Sequence, residues 1–171
     1  YFDITEGKIT KINKIIIDGN TFITSQDIRE IIQSKTRSFR NMFANDNYKP
    51  AQIVRDEFLI ANYYKNLGLL DVKISTKIEY LETNKVNIYF NISEGSKYFL
   101  SSVKISDENN ILSESLKENI YKRINNLKDD DKTFSIQKIQ EFKNNISSMI
   151  INEGIDFFEI NTTDAVTDNN I

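Results

Sequence analysis

Apolar and polar residues alternate most regularly between residues 71 and 80. Val72, Ile74, Thr76, Ile78 and Tyr80 fall to one side, and Asp71, Lys73, Ser75, Lys77 and Glu79 to the other. A period of two with one polar side predicts a strand that has one buried and one wet face. Glu82-Thr83-Asn84 then turns the chain into a second alternating run, Val86, Ile88, Phe90 and Ile92, so the two runs predict a hairpin. Upstream, residues 8–18 predict another strand, with Ile15 and Ile17 on one side and Ile12 and Ile16 on the other. Gly19-Asn20 ends it, since both residues tolerate positive φ.

Between these strands the period changes to that of a helix. Thr24 stands three residues ahead of Asp27 in a capping-box arrangement, and Ile28, Ile31 and Ile32 supply a short apolar stripe. Residues 34–49 are polar and predict a loop. Pro50 suits the first position of a longer helix, where its missing N–H is not needed. Val54, Phe58, Ala61 and Tyr64 share one face of that helix, and Asn66-Leu67-Gly68 closes it with glycine as the C-terminal cap. The predicted order is β-α-α-β-β.

The order then begins again. Residues 99–105 predict a strand, a helix from near Ser113 carries Leu116, Ile120 and Ile124, and a second from about Ser135 carries Ile139, Phe142, Ile146 and Met149. Glu153-Gly154 stops that helix and residues 156–161 predict a strand. Residues 162–170 are a polar, turn-like run, so the closing strand of this unit is missing. The duplication shows in phrases as well as in patterns. Ile4-Thr5-Glu6-Gly7 leads into Lys14 to Asn20, and Ile92-Ser93-Glu94-Gly95, 88 positions later (92 less 4), leads into Val103 to Asn109. A repeat of this length is a duplicated structural unit. The expected division is a tail of a preceding unit at 1–7, one unit at 8–95, and a second, incomplete at its C-terminus, at 96–171.

Composition narrows the function. The 171 residues carry a net charge of −3 with mixed signs, which argues against nucleic acid as a main partner, and Lys8, Lys11 and Lys14 read as solvated strand positions. There is no Cys and no His, which removes thiol chemistry, imidazole acid–base catalysis and nearly every zinc or haem site. No apolar run approaches the roughly 20 residues of a membrane-spanning helix, so a soluble fragment is expected. Asp129-Asp130-Asp131 is the cluster that invites a metal, but three adjacent carboxylates cannot all face one ion in an ordinary loop. Serines and threonines have no evident base. A metal-dependent or hydrolytic enzyme is the reading from another class; the expectation is no catalytic residue, metal or cofactor.

The strand ending in Gly19-Asn20, Tyr48 ahead of the long helix, Tyr63-Tyr64 with Gly68 at that helix's end, and Ile92-Ser93-Glu94-Gly95 together resemble the POTRA domain. So do Asp107-Glu108-Asn109 and Glu153-Gly154 in the second unit. POTRA is the module of the periplasmic arm of outer-membrane β-barrel assembly proteins, the BamA family, and the match is to its third and fourth modules. Glu108 departs from the family, which usually has glycine there. The resemblance implies an α+β fold of tandem POTRA domains, each with two helices packed on a three-stranded sheet. It also implies a parent protein in the outer membrane, a location on the periplasmic face, and a non-enzymatic scaffold and chaperone role. Implied partners are nascent outer-membrane β-barrel proteins, accessory outer-membrane lipoproteins and neighbouring POTRA domains. An exposed strand edge would take an added strand by main-chain pairing. The expected edge is Asp71, Val72, Lys73, Ile74, Ser75, Thr76, Lys77, Ile78, Glu79 and Tyr80, with 156–161 in the second unit, and Glu94-Gly95 is the expected hinge. The plainer readings are a charge-protected solvent edge and an ordinary tight turn. Sibling readings make the chain the arm of a two-partner secretion or translocation-assembly transporter.

Overall fold

The computed structural model describes residues 9–37, 42–129 and 132–161. The expected tail at 1–7, with its Glu6-Gly7, and most of the Asp129–Asp131 cluster lie outside them. The chain divides into two compact units, Tyr1–Tyr64 with Asp71–Gly95, and Lys65–Leu70 with Ser96–Ile171.

The first unit runs β1 (Lys11–Asp18), α1 (Ser25–Ile31), α2 (Pro50–Asn66), β2 (Lys73–Leu81) and β3 (Lys85–Ser93). The hairpin pairs β2 antiparallel to β3, from Lys73 opposite Ser93 to Leu81 opposite Lys85. β1 adds to the other side of β3 in parallel, giving the order β1-β3-β2. The strand latest in the chain is thus the central one, and its alternate residues Val86, Ile88 and Phe90 are fully buried.

Two expectations about faces change. β1 carries an irregularity between Ile12 and Lys14, where one extra residue shifts the register against β3. The bulge reverses the phase of the alternation, so Ile12 joins Ile15 and Ile17 in the core, and Ile16 alone stays on the outer face. In α2 the buried stripe is Ile53, Asp56, Ile60 and Tyr64. Val54 and Phe58, expected in the core, are 66% and 64% exposed. Two apolar stripes compete on this helix, and specific polar partners decide between them. The carboxylate of the fully buried Asp56 accepts from the backbone N–H of Gln33 at 2.6 Å and of Ser34 at 3.0 Å, tying the exit of α1 to α2.

Local signals behave as read. Thr24 caps α1, with Asp27 N–H donating to its Oγ1 at 3.2 Å and its own N–H donating to Asp27 Oδ2 at 3.3 Å, the reciprocal pair of a capping box. Gly19 has φ of 82°, and a Cβ there would stand 2.0 Å from the Ile92 carbonyl oxygen, so only glycine lets this turn approach β3.

The second unit holds α3 (Glu114–Asp129) and α4 (Ile136–Asn152), capped by Ser113 and Ser135. Its core is Leu116, Ile120, Ile124, Ile146 and Ile150, with Phe142 and Met149 packed against it. Residues 99–105 and 156–161, expected as strands, form no ladder with each other or with a third strand among the described residues. Their alternate side chains nevertheless lie on the helices, Val103 and Ile105 from one segment and Phe158 and Ile160 from the other. The first unit supplies the reason. Both outer strands there bond to the closing strand and not to each other, and no such central strand lies among the described residues of the second unit. The turn of this unit also differs. The positive φ is carried by Asn110, at 49°, not by Glu108 in the place of Gly19.

The duplication extends to a feature that no pattern showed. In the first unit the opening strand meets the segment just ahead of the second helix, through an antiparallel bridge of Lys11 with Asn47. Tyr48 N–H donates to Thr10 O at 2.8 Å and Ile12 N–H to Asp46 O at 2.7 Å. In the second unit Phe99 bridges Thr133, Leu100 N–H donates to Lys132 O at 2.8 Å and Phe134 N–H to Tyr98 O at 3.1 Å.

Candidate partner-binding edge

β1 and β2 are the two edges of the sheet, and they are finished differently. The outer side of β1 is covered at its start by the bridge to Asn47. Asp46 anchors that cover. Its carboxylate is 3.3 Å from Lys11 Nζ and 3.9 Å from Arg37. Burial works against the charge of Asp46, but the two cations and its hydrogen bonds still hold it below the usual carboxylate range. No described segment pairs with the outer side of β2. An uncovered edge carries unpaired N–H and C=O groups and is a template for another strand.

Of the residues expected at this edge, Lys73, Ile74, Ser75, Thr76, Lys77, Ile78, Glu79 and Tyr80 lie in β2. Asp71, in a turn, and Val72 precede it. Ile74, Thr76 and Ile78 are half-buried on the side of the core, and Lys73, Ser75, Lys77 and Glu79 are exposed on the other. Tyr80 is 70% exposed and meets Tyr48 edge to face, ring centres 6.2 Å apart. Burial, helped by the Tyr80 hydroxyl, pushes the Tyr48 phenol up to about 12. In the second unit, 156–161 is not an edge strand among the described residues.

The outer face carries a polar belt across all three strands. Asn13 Nδ2 donates to Asn87 Oδ1 at 2.9 Å, and Glu79 Oε2 accepts from Asn87 Nδ2 at 2.7 Å and from the Tyr89 hydroxyl at 2.8 Å. These two bonds hold the Glu79 carboxyl below its ordinary range, aided by the nearby Lys77, so Glu79 remains charged and already engaged. The belt escapes sequence reading because its members come from three strands whose register only the fold sets.

The expected hinge residues sit at the end of β3. Glu94 is 7% exposed. Its Oε1 accepts from Thr21 N–H at 2.8 Å, Phe22 N–H at 2.9 Å and the Tyr64 hydroxyl at 2.9 Å, and its Oε2 accepts from the Thr21 hydroxyl. Burial opposes ionisation, yet the Thr21 hydroxyl, the two N–H groups and Tyr64 outweigh it and hold Glu94 below its usual range. Burial and the adjacent carboxylate in turn push the Tyr64 phenol well up. Gly95 has φ of 72°, and a Cβ there would lie 2.7 Å from Asp71 Cβ. In the second unit the loop N–H groups of Ile111 and Leu112 are taken, both at 3.1 Å, by Asp107 from within the same loop. Tyr64 is fully buried, in keeping with its reading as a packing residue. The role of Glu94 was not legible because its partners Thr21 and Phe22 lie 73 and 72 residues away.

Residues 10–95 match the family model described as POTRA, surface antigen variable number repeat. Among curated relatives, the outer membrane protein assembly factor BamA of Neorickettsia risticii is 26% identical over 68% of this chain and 16% of its own length. BamA of Nitratidesulfovibrio vulgaris is 24% identical over 94% of this chain and 20% of its own length. The chain therefore spans a fifth or less of the curated relatives it matches. Among solved structures, Haemophilus influenzae BamA POTRA3-5 superposes with a TM-score of 0.58 at 23% identity, over 84% of this chain and 55% of that one. POTRA1-2 of the periplasmic domain of Omp85 from Anabaena gives 0.52 at 12% identity, over 96% of this chain and 92% of that one.

Proposed function

The chain belongs to the POTRA family, and on that premise we propose that it is part of a periplasmic arm that serves outer-membrane protein assembly. It holds client strands at the free edge of β2. We take the modules to divide at Gly95 and to be the third and fourth of such an arm, attached to an outer-membrane β-barrel. The clients are nascent β-barrel proteins, and accessory outer-membrane lipoproteins and neighbouring POTRA domains complete the set of partners. The role is that of a scaffold, not an enzyme.

The observation that carries the reading is the contrast between the edges. β1 is covered at its start by the segment around Asn47, while the outer edge of the nine-residue β2 pairs with no described segment. An extended client gains a ladder of main-chain bonds there with little demand on its sequence. Barrel proteins are sets of alternating strands, so tolerant recognition suits them. A hinge at the end of β3 would turn at Gly95, because Glu94 is held by the first unit.

Backbone amide shifts of the full chain, recorded while titrating a peptide from a β-barrel strand, test this. The largest changes are expected in Lys73–Leu81, with slowed hydrogen exchange in that strand. Changes confined to α1 and α2 overturn it.

A further inference from the structure

Resting on that edge reading, we propose that β2 selects among client strands by charge, favouring strands that carry acidic residues four positions apart on one side and apolar residues on the other. In any β-sheet, residues directly opposite on neighbouring strands share a face. A strand added beside β2 therefore lays one set of side chains against Ile74, Thr76 and Ile78, which are half-buried toward the core. Its other set lies against Lys73, Ser75, Lys77 and Glu79 on the outer face.

The outer set is positive where it is open. Lys73 and Lys77 are exposed, and neither stands within 4.0 Å of a carboxylate among the described residues. Glu79, the acid on this side of β2, is already occupied by Asn87 and Tyr89. The neighbouring strands add no compensating cluster. By register, Lys85 of β3 and Lys14 of β1 share the outer face with Asp18, and Lys11 is paired with Asp46. Because the two lysines are four residues apart, the matching acids must also be four apart, whichever direction the added strand runs. Acids two apart would place one opposite Ser75 or Glu79. The apolar side excludes charge through Ile74 and Ile78, so the preferred client face alternates as the strands of a membrane barrel do, with the acids on its polar side.

Four nonapeptides that alternate valine with serine, bound to the full chain, test this: all-serine, two glutamates four apart, two glutamates two apart, and two lysines four apart. Cross-strand ion pairs are weak individually, so at low salt the four-apart glutamate peptide should bind about tenfold tighter than the lysine peptide and about threefold tighter than the two-apart glutamate peptide. The gap should shrink as salt is raised to 0.5 M. In the double variant Lys73→Glu, Lys77→Glu, whose changes are at exposed positions, the preference should invert. Equal binding of all four peptides at β2 overturns the charge selection while leaving the edge reading in place. A glutamate preference unchanged in the double variant also overturns it. Failure of every peptide to perturb β2 refutes the edge reading itself.

Discussion

Replacing Glu94 with alanine tests whether one carboxylate ties together the β1–α1 loop, α2 and the end of β3. Four donors converge on it, from the Thr21 and Phe22 backbone, the Thr21 hydroxyl and the Tyr64 hydroxyl. Tyr64 is fully buried, so its hydroxyl would have no water to turn to. An orphaned buried donor costs about 1–3 kcal/mol, and bonds to a charged acceptor are at the strong end of that range. Four donors lose a shared partner and the costs do not add fully, so Glu94→Ala should destabilise the first unit by about 3–5 kcal/mol. Glu94→Gln keeps an oxygen at the Oε1 position, where three of the four donors point, and should cost only about 1–2 kcal/mol. Tyr64→Phe removes one donor and should cost about 1–2 kcal/mol in the parent but little in Glu94→Ala. The chain has no Trp, so hydrogen exchange of Thr21, Phe22 and the β3 amides under native conditions is the better assay, because it reports on each unit separately. Loss of under 0.5 kcal/mol in Glu94→Ala, or additive costs for Glu94→Ala with Tyr64→Phe, would refute the reasoning.

The pH dependence follows from the same site. Glu94 is held below its usual range, so its stabilisation is fully present above the unfolded-state value of about 4.3 and is lost as pH falls through the lower folded value. Acid titration of the first unit should show constant stability from neutral to about pH 5 and then a decline, shallower in Glu94→Gln, as followed by hydrogen exchange. On α2, Phe58→Ser should change stability by no more than about 0.5 kcal/mol while Ile60→Ala costs about 3–4 kcal/mol, measured by urea unfolding at 222 nm. A large cost for Phe58→Ser would restore the outer stripe to the core. The Thr76 hydroxyl is buried without a hydrogen-bond partner among the described residues. Thr76→Val should therefore stabilise the unit by about 1 kcal/mol in the same assay, provided no client strand is bound.

What the chain determines by itself is local. The alternation in β2 and β3, the hairpin turn, the Thr24 capping box, Pro50 at the start of α2 and the serine caps of the second unit all arise between residues a few positions apart. The forces behind them, backbone stereochemistry, capping and the burial of one side of an element, act over the same short range. The Gly19 turn belongs to this class, although the reason for glycine, the Ile92 carbonyl beside it, does not. The site was legible to the same extent. Alternation named Lys73 to Tyr80 as a half-buried strand, and no local signal could say that this strand would lie at an edge.

Tertiary structure decided the rest, because it depends on which strand lies beside which. β3 comes last in the chain but sits between the other two, so it leaves β2 uncovered in the first unit. In the second unit its counterpart is not among the described residues, and two well-patterned segments there form no ladder with each other among those residues. One extra residue in β1 reversed the face of Ile12. Asp56 and Glu94, polar residues that a pattern reading leaves to solvent or to a hinge, were drawn inside by N–H groups far away in sequence. Periodicity can say that a residue will be buried or exposed only after the partner surface is chosen, and that choice is made by contacts between distant parts of the chain.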